Sequence, residues 1–175
     1  MKRLILAATT LGALTGCLDY DRVTMSFDTK KLRGELVYKN LVSDDPTSID
    51  ADYEELVRYR DSPQLEGEHP GWMNVSKALY EQDGQLNGRV TFEVASLADA
   101  GIYKHDRRSP SVYCSDEVVL WTNGQDISDA LPGCVAWNRR TRVLQVELGD
   151  GTAAGSTSLL GNWHRETGGA LRPPG

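Results

Sequence analysis

The feature that most constrains this chain is a period-two alternation of apolar and polar residues. Val23, Met25 and Phe27 are interleaved with Thr24, Ser26 and Asp28. Successive side chains of a strand point to opposite faces, so such a run predicts a strand with one buried and one wet face. A second strand is expected from Gly34 to Leu41, and the polar stretch Ser43-Asp44-Asp45-Pro46-Thr47-Ser48 then predicts a loop. Helical spacing is convincing in one place only. Ile49, Tyr53, Leu56 and Val57 fall at i, i+4, i+7 and i+8, which predicts a helix over residues 49 to 60 with these side chains on one face. Ser48 or Asp50 is its expected cap. Asp50, Asp52, Glu54 and Glu55 crowd its first half and Arg58 and Arg60 its end, as the helix dipole favours, with Glu54 spaced to meet Arg58.

Turn chemistry sets the rest. Residues 61 to 72, with Pro63, Gly67, Pro70 and Gly71, read as an irregular connection. Asp83-Gly84 is a favoured tight-turn dipeptide and predicts a hairpin over residues 75 to 94. A two-residue turn there sets Val75 opposite Phe92 and Leu79 opposite Gly88, gathering the apolar side chains on one face with Lys77 as the exception. Ser96-Leu97-Ala98-Asp99 resembles a capping box opening a single helical turn before Gly101. A second hairpin is expected at Asn123-Gly124, placing Leu120 opposite Ile127. A third would join Cys134–Trp137 to 142–148, and Ser158 to His164 supplies a last strand. Short strands with one helix inserted after the second predict a mainly β chain, an antiparallel β-sandwich-like domain. An α+β layer on one antiparallel sheet is the alternative.

The N-terminus has a different character. Met1-Lys2-Arg3 precedes an apolar run from Leu4 to Ala13 that ends at Leu14-Thr15-Gly16-Cys17, and Asp19 and Asp21 follow at once. A membrane-spanning helix needs about 20 apolar residues, so this run is too short, and it has the layout of an export leader. The tetrad resembles the lipobox of bacterial lipoproteins, in which a small residue precedes a cysteine that receives diacylglycerol before cleavage. An ordinary secretory leader or a buried N-terminal helix is the plain alternative. The resemblance covers residues 1 to 17. It implies removal of residues 1–16, lipid on Cys17, a short tether over 17–21, a globular domain over 22–165 and a disordered tail over 166–175. Two or more acyl chains hold a protein at a bilayer without any spanning helix. Leu18, rather than Asp, follows Cys17, and by the sorting rule of such lipoproteins this favours the outer membrane in a diderm cell.

Cysteine counting follows from that resemblance. Lipid on Cys17 removes the odd one of three, and Cys114 and Cys134 remain as a candidate disulfide. Its loop of about 20 residues is worth roughly 3 kcal/mol in the chain-entropy model. Two reduced thiols or half a metal site are the alternatives, the latter without a His or further Cys at ligand spacing. The spacing is too short for an immunoglobulin-type bridge between opposed sheets, so the bond is expected to tie neighbouring loops.

Nucleophile-elbow, metalloprotease-helix, phosphate-loop and dinucleotide fingerprints are missing from the sequence. No catalytic residue or cofactor is assigned. His69, His105 and His164 fall in separate segments, each more commonly a surface or capping residue than a ligand. Asp44, Asp45, Asp50 and Asp52 are calcium candidates, but the EF-hand pattern fails at Glu55, where a glycine is required, and a helix N-terminal acid cluster explains them without a metal. Lys104-His105-Asp106-Arg107-Arg108 and Arg139-Arg140-Thr141-Arg142 are basic spots at predicted turns. Solvated loop charges that keep strand ends soluble are the favoured account, and contact with an anionic headgroup or envelope polymer is the alternative. Trp72, Trp121, Trp137 and Trp163 read first as core or rim aromatics. A net charge of −6, lowered further by loss of Lys2 and Arg3, argues against a general nucleic-acid binder. The sequence therefore predicts a lipid-anchored envelope protein, membrane-bound through Cys17, acting as a non-catalytic binding or scaffold module for an envelope protein or anionic polymer. The alternatives are an exported hydrolase whose site forms only in the fold, and a small-ligand or calcium carrier.

Overall fold

The computed structural model describes residues 18–149 and 156–168. Its main sheet has seven antiparallel strands: β1 (Leu18–Asp28), β2 (Arg33–Ser43), β3 (Trp72–Gln82), β4 (Gln85–Val94), β6 (Val118–Thr122), β9 (Val143–Gly149) and β10 (Thr157–Ser158). The spatial order is β3-β4-β2-β1-β9-β6, and β10 pairs with the end of β2. A smaller sheet has the order β5-β8-β7, from Ser111–Cys114, Cys134–Trp137 and Gln125–Asp126. Three helices, α1 (Ile49–Asp61), α2 (Gln64–Glu68) and α3 (Leu160–Thr167), and one 3-10 turn (Ala98–Ala100) complete the elements among the described residues. It is a mainly β, antiparallel, sandwich-like domain, as the alternation predicts.

Register explains the core. Val23, Met25 and Phe27 stand beside Tyr38, Leu36 and Gly34 of β2 on one side and beside Leu148, Val146 and Leu144 of β9 on the other. Directly opposed residues share a face. One face of the main sheet is thus apolar, and the other carries Thr24, Ser26, Glu35 and Arg89. Leu56 and Leu65 of the helices cover the apolar face together with Ile102 and with Tyr113, Val135 and Trp137 of the small sheet. Gly34 makes one close approach possible. A Cβ there would lie 2.2 Å from the Phe92 ring, which instead lies over the glycine and continues a stack through Trp72 to His69 at centroid spacings of 3.7 and 3.9 Å.

The hairpin at Asp83-Gly84 forms with Leu79 opposite Gly88. Val75 falls in a bulge between Met73 and Ser76, where Asn74 has a φ of 51°. Lys77 tolerates its place on the apolar face because Nζ donates to Ser62 O and pairs with Glu66 at 3.0 Å. Ser96 Oγ accepts the Asp99 N–H, one of the two expected capping-box bonds, and donates to Asp99 Oδ2 side chain to side chain, and Gly101 ends that turn in the left-handed region.

Several expectations are corrected. Residues 18–21 are no tether, because Leu18 already pairs with Ser43 and the Tyr20 ring packs edge-on against Tyr38. Within 61–72 a five-residue helix forms around the buried Leu65. Neither of the two later hairpins exists. β6 pairs with β9 while β7 pairs with β8, and β8 and β9 lie in different sheets. Asn123 diverts the chain: its Oδ1 accepts from Trp137 Nε1 and Gln145 N–H, and its Nδ2 donates to Val143 O, so the residue bonds both sheets at the crossing. The expected last strand is two residues long and then becomes α3, which reaches Thr167 because Glu166 binds Tyr53 and Arg60 of α1. The start of the expected tail, Glu166 to Gly168, is therefore ordered by α1. Arg58 meets Glu55, one residue nearer than Glu54. Ser48 is the N-cap residue by position but makes no capping side-chain bond.

Candidate functional site

The strands give the domain two unlike ends. At the proximal end β1 begins, β2 finishes at Ser43, the β3–β4 turn closes and β6 starts at Val118. Asp19, Asp21, Asp44, Asp45, Asp83, Asp116 and Glu117 cluster there by register. Tyr20 donates to Glu117 Oε1 at 2.6 Å, tying the first residues of β1 to the segment between β5 and β6. Burial, followed by the adjacent carboxylate, pushes the Tyr20 phenol well above its ordinary pKa. Cys17 lies outside the described residues, one position before this end.

At the distal end the β1–β2 turn lies against the β8–β9 turn. Thr29 donates to Arg142 O through both N–H and Oγ1, at 2.9 and 3.0 Å. Asp28 Oδ1 accepts the N–H groups of Lys30 and Lys31, and Oδ2 accepts from Arg142. These backbone donors, with Arg142, hold the Asp28 carboxyl below its ordinary range. Asp106 plays the same part in a third turn, accepting from the N–H groups of Arg108 and Ser109 at 2.7 and 2.8 Å. The pairing of Ser111 with Trp137 sets residues 108–110 alongside 138–140. The two basic spots read from the sequence are thus neighbours. Lys30, Lys31 and Arg33 join them, residues the sequence reading passed over although two of them are adjacent in a turn.

Cys114 and Cys134 form a disulfide. They are directly opposed residues of β5 and β8 with Cα atoms 4.0 Å apart, so the bond staples two strands rather than two loops. Gly133 is forced by the same corner: its φ is 67°, and a Cβ would come within 1.9 Å of Ser115 O.

The histidines do not converge. His69 ends the aromatic stack, where desolvation lowers its pKa. His105 is exposed in the third basic turn, and His164 contacts Glu81 at 2.7 Å. Among the described residues no hydroxyl or thiol hydrogen-bonds the His164 ring, so the hydrolase reading gains no triad there. The candidate calcium ligands are engaged separately. Asp45 accepts from Thr47 and Ser48, Asp50 from Asn162 and Arg165, and the buried Asp52 from Ser43. These donors lower the Asp45 and Asp50 pKa values. No group of three or more His, Cys, Asp or Glu among the described residues is placed to hold a metal ion.

A cavity of about 50 Å³ lies between α1 and the main sheet, lined by Tyr38, Leu41, Leu56, Leu65 and Val90. That is room for one or two waters, against the several hundred Å³ of a typical ligand pocket. Two shallower clefts, of about 290 and 370 Å³, lie beside Asp50 and Arg165 and beside Asp116 and Asp126. Of the tryptophans, Trp137 is buried and hydrogen-bonded, Trp72 is stacked, Trp163 packs partly against the core and Trp121 is 52% exposed. No described helix is long and apolar enough to cross a membrane. Comparison with protein-family models, curated proteins and solved structures gives no match to this chain.

Proposed function

We propose that this protein is a lipid-anchored lipoprotein of the bacterial envelope, held through Cys17, whose domain is a non-catalytic binding or scaffold module. What carries the reading is the tetrad Leu14-Thr15-Gly16-Cys17 behind a basic start and a short apolar run, and Leu18, the first described residue, already lies in β1. Lipid on Cys17 would leave almost no free chain between acyl groups and sheet, so the domain would sit end-on with its distal turns pointing away. Leu18 after the cysteine favours the outer membrane in a diderm cell. The test is metabolic labelling with a fatty-acid probe in a bacterial host. Labelled, processed protein is expected from the native chain, and Cys17→Ser should lose the label and accumulate precursor or soluble product. Equal labelling of both chains would end this reading.

A further inference from the structure

Nine of the chain's 19 Lys and Arg residues lie in the three distal turns: Lys30, Lys31 and Arg33, then Lys104, Arg107 and Arg108, then Arg139, Arg140 and Arg142. All but the half-buried Lys104 are exposed. Only Arg142 among them has a carboxylate within ion-pairing distance among the described residues. The acids present in these turns, Asp28 and Asp106, spend most of their acceptors on backbone N–H groups, so they shape the turns more than they neutralise them. Like charges gathered this way repel one another and cost stability. A net-acidic protein thus holds a concentrated basic surface on ordered turns.

We infer that this distal pole docks an anionic envelope polymer, a chain with repeated phosphate or carboxylate groups, through several weak charge-assisted contacts. Its orientation in the cell rests on the anchored reading above; its chemistry does not. Arginine presents a planar fork that matches carboxylate and phosphate, and six of the nine cations are arginines, Arg33, Arg107, Arg108, Arg139, Arg140 and Arg142. A single small anion would need enclosed donors, whereas exposed cations spread over three turns suit a chain of charges, bound with release of its counterions. The leaflet holding the anchor is out of reach. β1 rises about 3.3 Å per residue, so Asp28 stands roughly 33 Å from Leu18, beyond a screening length of about 8 Å.

The test uses the purified full-length chain in neutral detergent, with immobilised polygalacturonate and poly(glycerol phosphate) as probes, neutral dextran as control, and phosphatidylglycerol vesicles as a separate arm. Binding to at least one polyanion is expected, with affinity falling at least about tenfold between roughly 50 and 200 mM salt. A Lys30→Gln/Lys31→Gln/Arg139→Gln/Arg140→Gln variant should lose about tenfold or more, and Lys39→Gln/Arg58→Gln should bind as the native chain does. The four altered side chains make no hydrogen bond among the described residues, so an unchanged melting curve is expected alongside. Undiminished binding by the fourfold variant, equal binding to dextran, or binding to vesicles but to neither polymer would each overturn the proposal. None of these readouts depends on lipid at Cys17, so failure of the labelling experiment and failure of this one remain distinguishable.

Discussion

The two sheets share one core but are held by different means. β1 and β2 pair from Leu18 and Ser43 down to Asp28 and Arg33, and Tyr20, Val23, Met25 and Phe27 of β1 pack into or against the core along that ladder. β5 and β8 pair over four residues, and β7 adds two more. A ladder so short cannot bury enough to hold itself. It is supplemented at one end by the Cys114–Cys134 bond and at the other by Trp137, which is 1% exposed and hydrogen-bonded to Asn123. A long strand can thus rely on repeated burial, while a short one depends on a few specific groups. The two sheets should respond differently when those supports are removed.

The largest effect is expected from the long ladder. Phe27 is fully buried, and Phe27→Ala should cost about 3–5 kcal/mol, lowering the urea midpoint of the whole domain in one transition. A loss confined to part of the sheet would contradict a single shared core. Next comes the staple. Replacing Cys114 and Cys134 together by Ala opens a loop with a sequence separation of 20 and should cost roughly 3 kcal/mol. Here the effect should be local as well as global. Amide exchange at Ser111–Cys114 and Cys134–Trp137 should quicken well before that of the β1–β2 ladder. Equal loss of protection in both sheets would show that the staple does not distinguish them.

This contrast also explains what the sequence made legible. β1, β2, α1 and the Asp83-Gly84 hairpin announce themselves through local periodicity and a turn dipeptide, and their register follows from adjacent residues. The small sheet does not, because its partners are distant in sequence: Tyr113 meets Val135, and the strand after Asn123 leaves β6 for β8. Asn123-Gly124 looks like a hairpin turn because its residue types suit one. What decides its path is the bonding of Asn123 to Trp137, Gln145 and Val143, which no local pattern contains. α3 was hidden for a similar reason, since Glu166 gains its partners only when α1 lies beside it. The basic turns were legible as charges but not as one surface, because the register of β1 against β9 and of β5 against β8 is what brings them together.

The smallest expected effect tests the joint between the sheets. Asp28 closes β1 and fastens its turn to Arg142, at the point where the chain has left β8 and enters β9. Asp28→Asn keeps the shape and removes the charge, and it should lower Tm at neutral pH by less than either change above. The pH dependence carries the argument. Its backbone donors and Arg142 depress the folded-state pKa of Asp28 below the ordinary 3.8. Its contribution is therefore fully present above that value and lost as pH falls through the lower folded value. Asp45, Asp50 and Asp106 shift in the same direction, so the Asp28→Asn domain should still weaken on acidification. Tm measured from about pH 7 to pH 2 should show a steady gap between native and Asp28→Asn chains down to about pH 5, closing below about pH 4 as the native carboxyl takes up its proton. A gap that persists undiminished at pH 2 would mean that the charge of Asp28 is not what joins the two turns.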